Sequence, residues 1–196
     1  MNYNYLIMDG TKLFRILNNY NHHDLISKTI TNEDFEHFKR SCIYAGKGTN
    51  DRKMSHLIFG KQILLKELVL RKINAKFSKI TQIWERNDGI VILHLFTETN
   101  HYEAMSREYA MIKALGINNV TNEINGSQFG AMKNKWNYFE ITNYGNMILY
   151  NALKMAINEN PPLIFHSDIQ KKRTISRKNG IEDFELEGIL SCFLEL

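Results

Sequence analysis

Apolar and polar positions set out most of the elements before any residue chemistry is considered. Over residues 2–10, NYNYLIMDG, alternation puts Tyr3, Tyr5 and Ile7 on one face and Leu6 and Met8 on the other, which predicts a strand closed by an Asp-Gly turn. Residues 11–40 are polar and rich in Asn and His, and within them Thr31 or Asn32 is placed to cap a short helix carrying Phe35 and Phe38. SCIYAGK (41–47) reads as a second strand. From Lys53 to Phe77 the apolar residues Leu57, Ile58, Leu64, Leu65 and Leu68 recur at helical spacing, and Gly60 leaves open whether this is one helix or two. GIVILHLF (89–96) is a continuous apolar run after an Asn-Asp-Gly turn, the pattern of a buried central strand. NHYEAMSREYAMIKALGI is a helix capped by Asn100 and stopped by Gly116. Residues 117–137 read as loop, and a last helix over NYGNMILYNALKMAINENPP, from Asn143, ends at Pro161-Pro162. Strand, strand, helix, strand, helix predicts a small sheet backed by helices, an α/β or α+β domain.

Composition narrows the class more than the activity. A chain of 196 residues, 43% hydrophobic and 23% charged, can bury one sizeable core. Two cysteines, Cys42 and Cys192, are too few for a disulfide framework and point to a reducing compartment. No basic-then-apolar leader and no run long enough to span a bilayer are present, so a soluble intracellular protein, cytoplasmic or nuclear, is expected. The net charge of +4 permits an anionic partner without requiring one.

Chemistry begins at Glu108. On the helix over 101–115 the apolar stripe runs through Ala104, Met111 and Leu115, and Glu108 falls inside it. A carboxylate facing a core must be paired, protonated or metal-bound; a snorkelling edge residue or the partner of an arginine is the plainer reading. Glu103, four residues before Arg107, most simply makes a surface pair. Arg52 and His56 are also four apart and share a face if a helix has begun by then, a guanidinium fork beside an imidazole. Two exposed polar residues in a first helical turn is the simpler alternative. Tyr44 and Lys47 lie just upstream, and AGKGT is no P-loop, because Gly48 follows the lysine and the first glycine is missing. No zinc-type spacing and no nucleophile elbow occur. The basic run KKRTISRK (171–178) fits a nuclear-import or nucleic-acid contact segment or a solvated tail.

The order of these weak signals is more specific than any one of them. A tyrosine on strand one, Tyr-x-Gly on strand two, Arg-x-x-x-His, a third strand, a helical Glu and a later Asn resemble the GIY-YIG nuclease superfamily. More narrowly, YLIMD (5–9), YAGKGTNDRKMSHL (44–57) and EAMSREYAMIKALGINNVTN (103–122) resemble the nuclease domain of endonucleases that carry ankyrin repeats and a LEM domain. Neither tripeptide is literal: Ala45 takes the middle of the second, and Lys53 stands where that branch has proline.

The resemblance implies a three-stranded antiparallel sheet flanked by helices, with an insertion after strand 1, a nuclease domain over residues 1–165 and a basic, helical C-terminal extension over 166–196. It further implies a metal-dependent endonuclease hydrolysing DNA phosphodiesters, with branched, junction or flap DNA as substrate and a role in DNA repair. Glu108 would be the one protein ligand of Mg²⁺ or Mn²⁺; Tyr5 or Tyr44 the general base; Lys47 a charge favouring phenolate; Arg52 and His56 a phosphate clamp or proton relay; Asn122 a holder of the glutamate or its loop. Lys61, Lys66, Arg71, Lys72 and Lys76 would flank a groove, although a solvated helix face explains them equally well. A catalytically inactive DNA-binding module of the same fold is the alternative.

Overall fold

The first strand pairs with a neighbour on each side, and this decides the architecture. The computed structural model describes residues 2–20, 29–68 and 73–169. Along it, β1 (Asn2–Asp9) is followed by α1 (Gly10–Leu17) and α2 (Asn32–Ser41); β2 (Cys42–Thr49) leads to α3 (Arg52–Leu64) and α4 (Ala75–Glu85). β3 (Ile90–Thr99) leads to α5 (His101–Leu115), α6 (Ala131–Lys135) and α7 (Tyr138–Glu159). The sheet is antiparallel with order β2-β1-β3, so Tyr5 lies opposite Gly46 on one side and His94 on the other.

β1 is therefore the central strand, and the apolar run of β3 belongs to an edge, contrary to the expectation for 89–96. That run is apolar because helices cover both faces of the sheet there, not because strands flank it. The alternation expected for β1 holds. Leu6 and Met8 join Leu93, Met111, Leu149 and Leu153 in one core under α1, α2, α5 and α7. Tyr3, Tyr5 and Ile7 join Ile43, Leu57, Ile80 and Trp84 in a second core under α3 and α4.

Local signals account for the boundaries. Thr31 caps α2 in a capping box with Asp34, and Asn100 caps α5 by accepting from the Glu103 N–H. Gly116, at φ +80°, ends α5. Residues 53–77 form two helices rather than one. Asp9 does not close a turn: its side chain accepts from the Lys12 N–H and opens α1, a helix within the stretch expected to be polar connection. The loop over 117–137 contains α6 and a single 3-10 turn, Ile117–Asn119. α7 starts at Tyr138, earlier than expected, through an Asn137–Glu140 capping box. It crosses α5 at Gly145, where a β-carbon would collide with the Ala110 carbonyl.

After α7 the chain returns to the sheet. Ile90 and Ile164 exchange backbone hydrogen bonds of 2.9 and 2.7 Å, and the Trp84 indole donates to the Ile164 carbonyl. His22, His23, Arg71, Lys72 and residues 170–196, with KKRTISRK, Cys192 and the expected C-terminal helix, lie outside the described residues. Among the described residues no helix is long and apolar enough to cross a membrane.

Candidate active site

The two tyrosines meet because β1 and β2 pair in this register. Tyr5 and Ile7 point to the α3–α4 face, and Tyr44, opposite Ile7, joins them there with its ring centroid 6.0 Å from that of Tyr5. Tyr5 is fully buried, whereas Tyr44 is half-buried at the rim. Between them Gly46 is required. A β-carbon on it would sit 2.6 to 2.8 Å from Tyr44 Cε1, Tyr5 Cζ and the Tyr5 hydroxyl. The glycine of AGKGT thus makes room for the tyrosine rings rather than for a nucleotide.

α3 brings Arg52 and His56 to the same place, but not to the same role. His56 is 6% exposed, its Nε2 lies 2.7 Å from the Tyr5 hydroxyl, and its ring packs edge-on against Tyr44 at 5.5 Å. Burial, with the charges of Lys76 and Arg52, holds its pKa down to about 2, so the imidazole is neutral. With its proton on Nδ1, Nε2 accepts the phenol's hydrogen bond. Burial raises Tyr5 far above the ordinary phenol value and Tyr44 to about 12. Arg52 opens α3 and is exposed, forming no ion pair among the described residues. Its charge reaches Tyr5, Tyr44, Lys47, His56, Lys76 and Glu108.

Glu108 comes to this surface from α5, past the outer edge of β2. One carboxylate oxygen accepts from the Lys47 backbone N–H at 3.3 Å, and burial raises the group to about 7 against the pull of Lys47, Arg52 and Lys76. Glu108 is the partner of no arginine among the described residues; Glu103 is, at 3.7 Å from Arg107, as expected of a surface pair. The Lys47 ammonium lies 3.4 Å from His101 Nδ1 on the same helix as Glu108.

Asn122 is committed to backbone. Its Oδ1 accepts from the Ala45 N–H at 3.1 Å and its Nδ2 donates to the Ala45 carbonyl at 2.7 Å. The neighbouring Thr121 donates twice to the Ile43 carbonyl, from its N–H and its hydroxyl. Of the two roles open to Asn122, the contacts are those of the loop holder.

A divalent ion fits this donor set in one way. Among the described residues no cluster of three or more His, Cys, Asp or Glu side chains forms a closed cage. A lone carboxylate, destabilised by burial and held by a single long hydrogen bond, suits Mg²⁺, which keeps most of its shell as water and phosphate oxygens.

Two further groups belong to this surface: Lys76, expected either to flank a groove or to lie on a solvated face, and Glu123, which the sequence did not single out. Lys76 is 7% exposed, with its ammonium 4.3 Å above the Tyr44 ring, instead of on a solvated helix face. Glu123, carried beside Asn122, is exposed and acts electrostatically on both Tyr44 and Lys76. Lys61 and Lys66 lie elsewhere on α3 and just after it; the Lys61 ammonium donates to the Ile169 carbonyl at 2.6 Å.

A three-stranded antiparallel sheet with Tyr5 and Tyr44 across β1 and β2, an arginine and a histidine on the next helix and a glutamate facing them from α5 is the architecture of a GIY-YIG nuclease domain. The chain belongs to the LEM-3-like GIY-YIG domain family, whose model matches residues 2–171. It is similar to ankyrin repeat and LEM domain-containing protein 1 of Mus musculus, 31% identical over 137 residues that cover 69% of this chain and 25% of that protein. The Homo sapiens protein of the same name is 30% identical over 142 residues, 71% of this chain and 23% of its own length. The Caenorhabditis elegans homolog is 27% identical over 145 residues, 74% and 20% respectively. The chain thus spans a quarter or less of these relatives. No solved structure matches it.

Proposed function

We propose that the chain is a divalent-metal-dependent endonuclease that hydrolyses DNA phosphodiesters, with branched DNA as its preferred substrate and a place in DNA repair. The observation that carries the reading is Glu108: a half-buried carboxylate with no ion pair among the described residues, within electrostatic reach of two tyrosines and three cations. Binding alone has no use for a negative charge in a surface meant for phosphate. A Mg²⁺ or Mn²⁺ ion held by Glu108 would supply charge neutralisation at the phosphate and acidify a bound water.

The chain's own residues divide the remaining work. Tyr44, at the rim and neutral at pH 7, orients the attacking water and shares its proton; Tyr5, sealed beneath and bonded to His56, positions it. His56, held neutral, serves as an acceptor inside the site, not as a charged clamp. Arg52 grips the non-bridging oxygens with its unpaired fork, and Lys47 adds positive charge near the glutamate. Asn122 fixes the loop against β2. In the same reading the nuclease domain occupies residues 1–165 and the segment 166–196 is an extension.

The test compares wild type and Glu108→Gln on a labelled four-way junction, a linear duplex and a single strand, with and without Mg²⁺. Wild type is expected to nick the junction only with metal, and Glu108→Gln to bind it without cutting. Binding with no cleavage of any substrate by wild type would leave the inactive DNA-binding module as the correct reading. Normal cutting by Glu108→Gln would remove the glutamate from the mechanism.

A further inference from the structure

We propose that Lys76 is an anion-receiving residue of this site, its ammonium taking a phosphate oxygen of the bound DNA. The inference rests on the nuclease reading and adds to it a residue outside the tyrosine, arginine, histidine and glutamate set.

A lysine is rarely buried without a counter-charge, because removing an ammonium from water costs several kcal/mol unless a partner replaces the solvent. Lys76 is 7% exposed, yet it makes no hydrogen bond and no ion pair among the described residues. Its nearest companions are aromatic: the Tyr44 ring at 4.3 Å and the Phe77 ring at 5.2 Å. A cation–π contact offsets part of the desolvation but supplies no acceptor for the three N–H groups. The tip is not sealed. Among the described residues the side-chain N and O atoms that are both sealed and unpartnered are Asn4 Oδ1, His94 Nε2, Arg107 Nε and Asn146 Oδ1, and Lys76 Nζ is not among them. An ammonium open to solvent and without a protein acceptor among the described residues therefore sits over the Tyr44 ring.

The charges acting on it favour an anion. From α3 the Arg52 charge repels Lys76 and the His56 ring is neutral; from β2 comes the Tyr44 phenol. Glu108 on α5 and Glu123 on the loop attract it, but neither comes within ion-pair distance. Arg52 and Lys76 repel each other and share only the more distant pull of Glu108, so one phosphate taken by both would stabilise them together. Lys47 adds a third cation acting on Glu108 from β2. Burial pushes Lys76 down to about 8, so the ammonium is the prevailing form at neutral pH, and a bound phosphate would fix it so.

Binding is measured in the Glu108→Gln background, where DNA is not consumed, on a fluorescent four-way junction across a salt series. Removing one phosphate contact with Lys76→Met is expected to lower the slope of log affinity against log salt by about 0.9, and Lys76→Arg to restore it. With Glu108 intact, Lys76→Met is expected to cut at least tenfold more slowly. Its melting temperature should match or exceed that of wild type, because an apolar chain of the same length replaces a desolvated charge. Lys76→Gln carries the same readouts if the Met variant aggregates. An unchanged salt slope, or lost activity explained by a lower melting temperature, assigns Lys76 to packing and overturns the inference. If wild type cuts and Glu108→Gln binds while the Lys76 slope is unchanged, this inference alone falls; if wild type neither binds nor cuts, the nuclease reading falls with it.

Discussion

Replacing His56 with glutamine should change how stability depends on acid in a way that its contacts dictate. The native imidazole is held near a pKa of about 2, while the unfolded chain titrates near 6.5. Below pH 6.5 the unfolded state takes up a proton that the folded state refuses, so the stability His56 contributes is complete above that pH and is lost as pH falls toward 2. Once the unfolded histidine is fully protonated the loss is about 1.4 kcal/mol per pH unit, and between pH 7 and 4.5 it totals about 2.5 kcal/mol. Glutamine keeps an acceptor for the Tyr5 hydroxyl, now 2.7 Å from Nε2, and does not titrate. At pH 7 the variant should be about 1 to 2 kcal/mol less stable, from imperfect packing and a less suitable acceptor. At pH 4.5 that deficit should vanish or reverse. Urea midpoints at pH 7, 5.5 and 4.5, measured with EDTA present, give the difference directly, and Glu108 and His94 cancel because both proteins carry them. A deficit constant across this range would refute the assignment of a buried, neutral His56.

Other substitutions probe the packing that assembles the site. Gly46→Ala drives a β-carbon against Tyr5 and Tyr44, and because Tyr5 is fully enclosed the expected cost is about 1 to 3 kcal/mol in a denaturant melt, with cleavage lost as the rings are displaced. Gly145→Ala would gain about 1 kcal/mol on an exposed helix. Here the collision with the Ala110 carbonyl should outweigh that gain and lower the melting temperature. Asn122→Ala removes both hydrogen bonds to Ala45; a loss of about 1 to 2 kcal/mol and faster proteolysis in residues 123–130 are expected, and unchanged proteolysis would argue against a loop-holding role.

Motifs with a local cause were readable in advance. Asn100 caps α5, Gly116 ends it, and the alternation in β1 sorts Tyr5 from Leu6, because each depends on neighbours within a few residues. The strand order was not readable: the run over 90–95 is apolar on both faces, as a central strand would be, and only hydrogen-bond pairing shows that β1 has two neighbours and β3 one. Asp9-Gly10 serves equally well as a turn or as a helix cap, and α1 makes it the latter. In the site, Glu108 stood out because it interrupts an apolar stripe. Lys76 was one of five basic residues with two open readings, because a lysine before Phe77 has the same sequence whether its ammonium points to water or over a tyrosine. His56 was legible as a site residue but not as a neutral one, since its burial comes from Tyr5, Tyr44 and Phe77 meeting across three elements.

The hydrogen bonds from Thr121 and Asn122 have a consequence outside catalysis. β2 lies at the border of the sheet, and an unguarded border strand offers its peptide groups to any other extended chain. Here a side-chain amide imitates a neighbouring strand at Ala45, while Thr121 occupies the carbonyl of Ile43. The segment that steadies the site therefore also closes this border to intermolecular strand addition, and loosening it should favour self-association as well as slower cleavage.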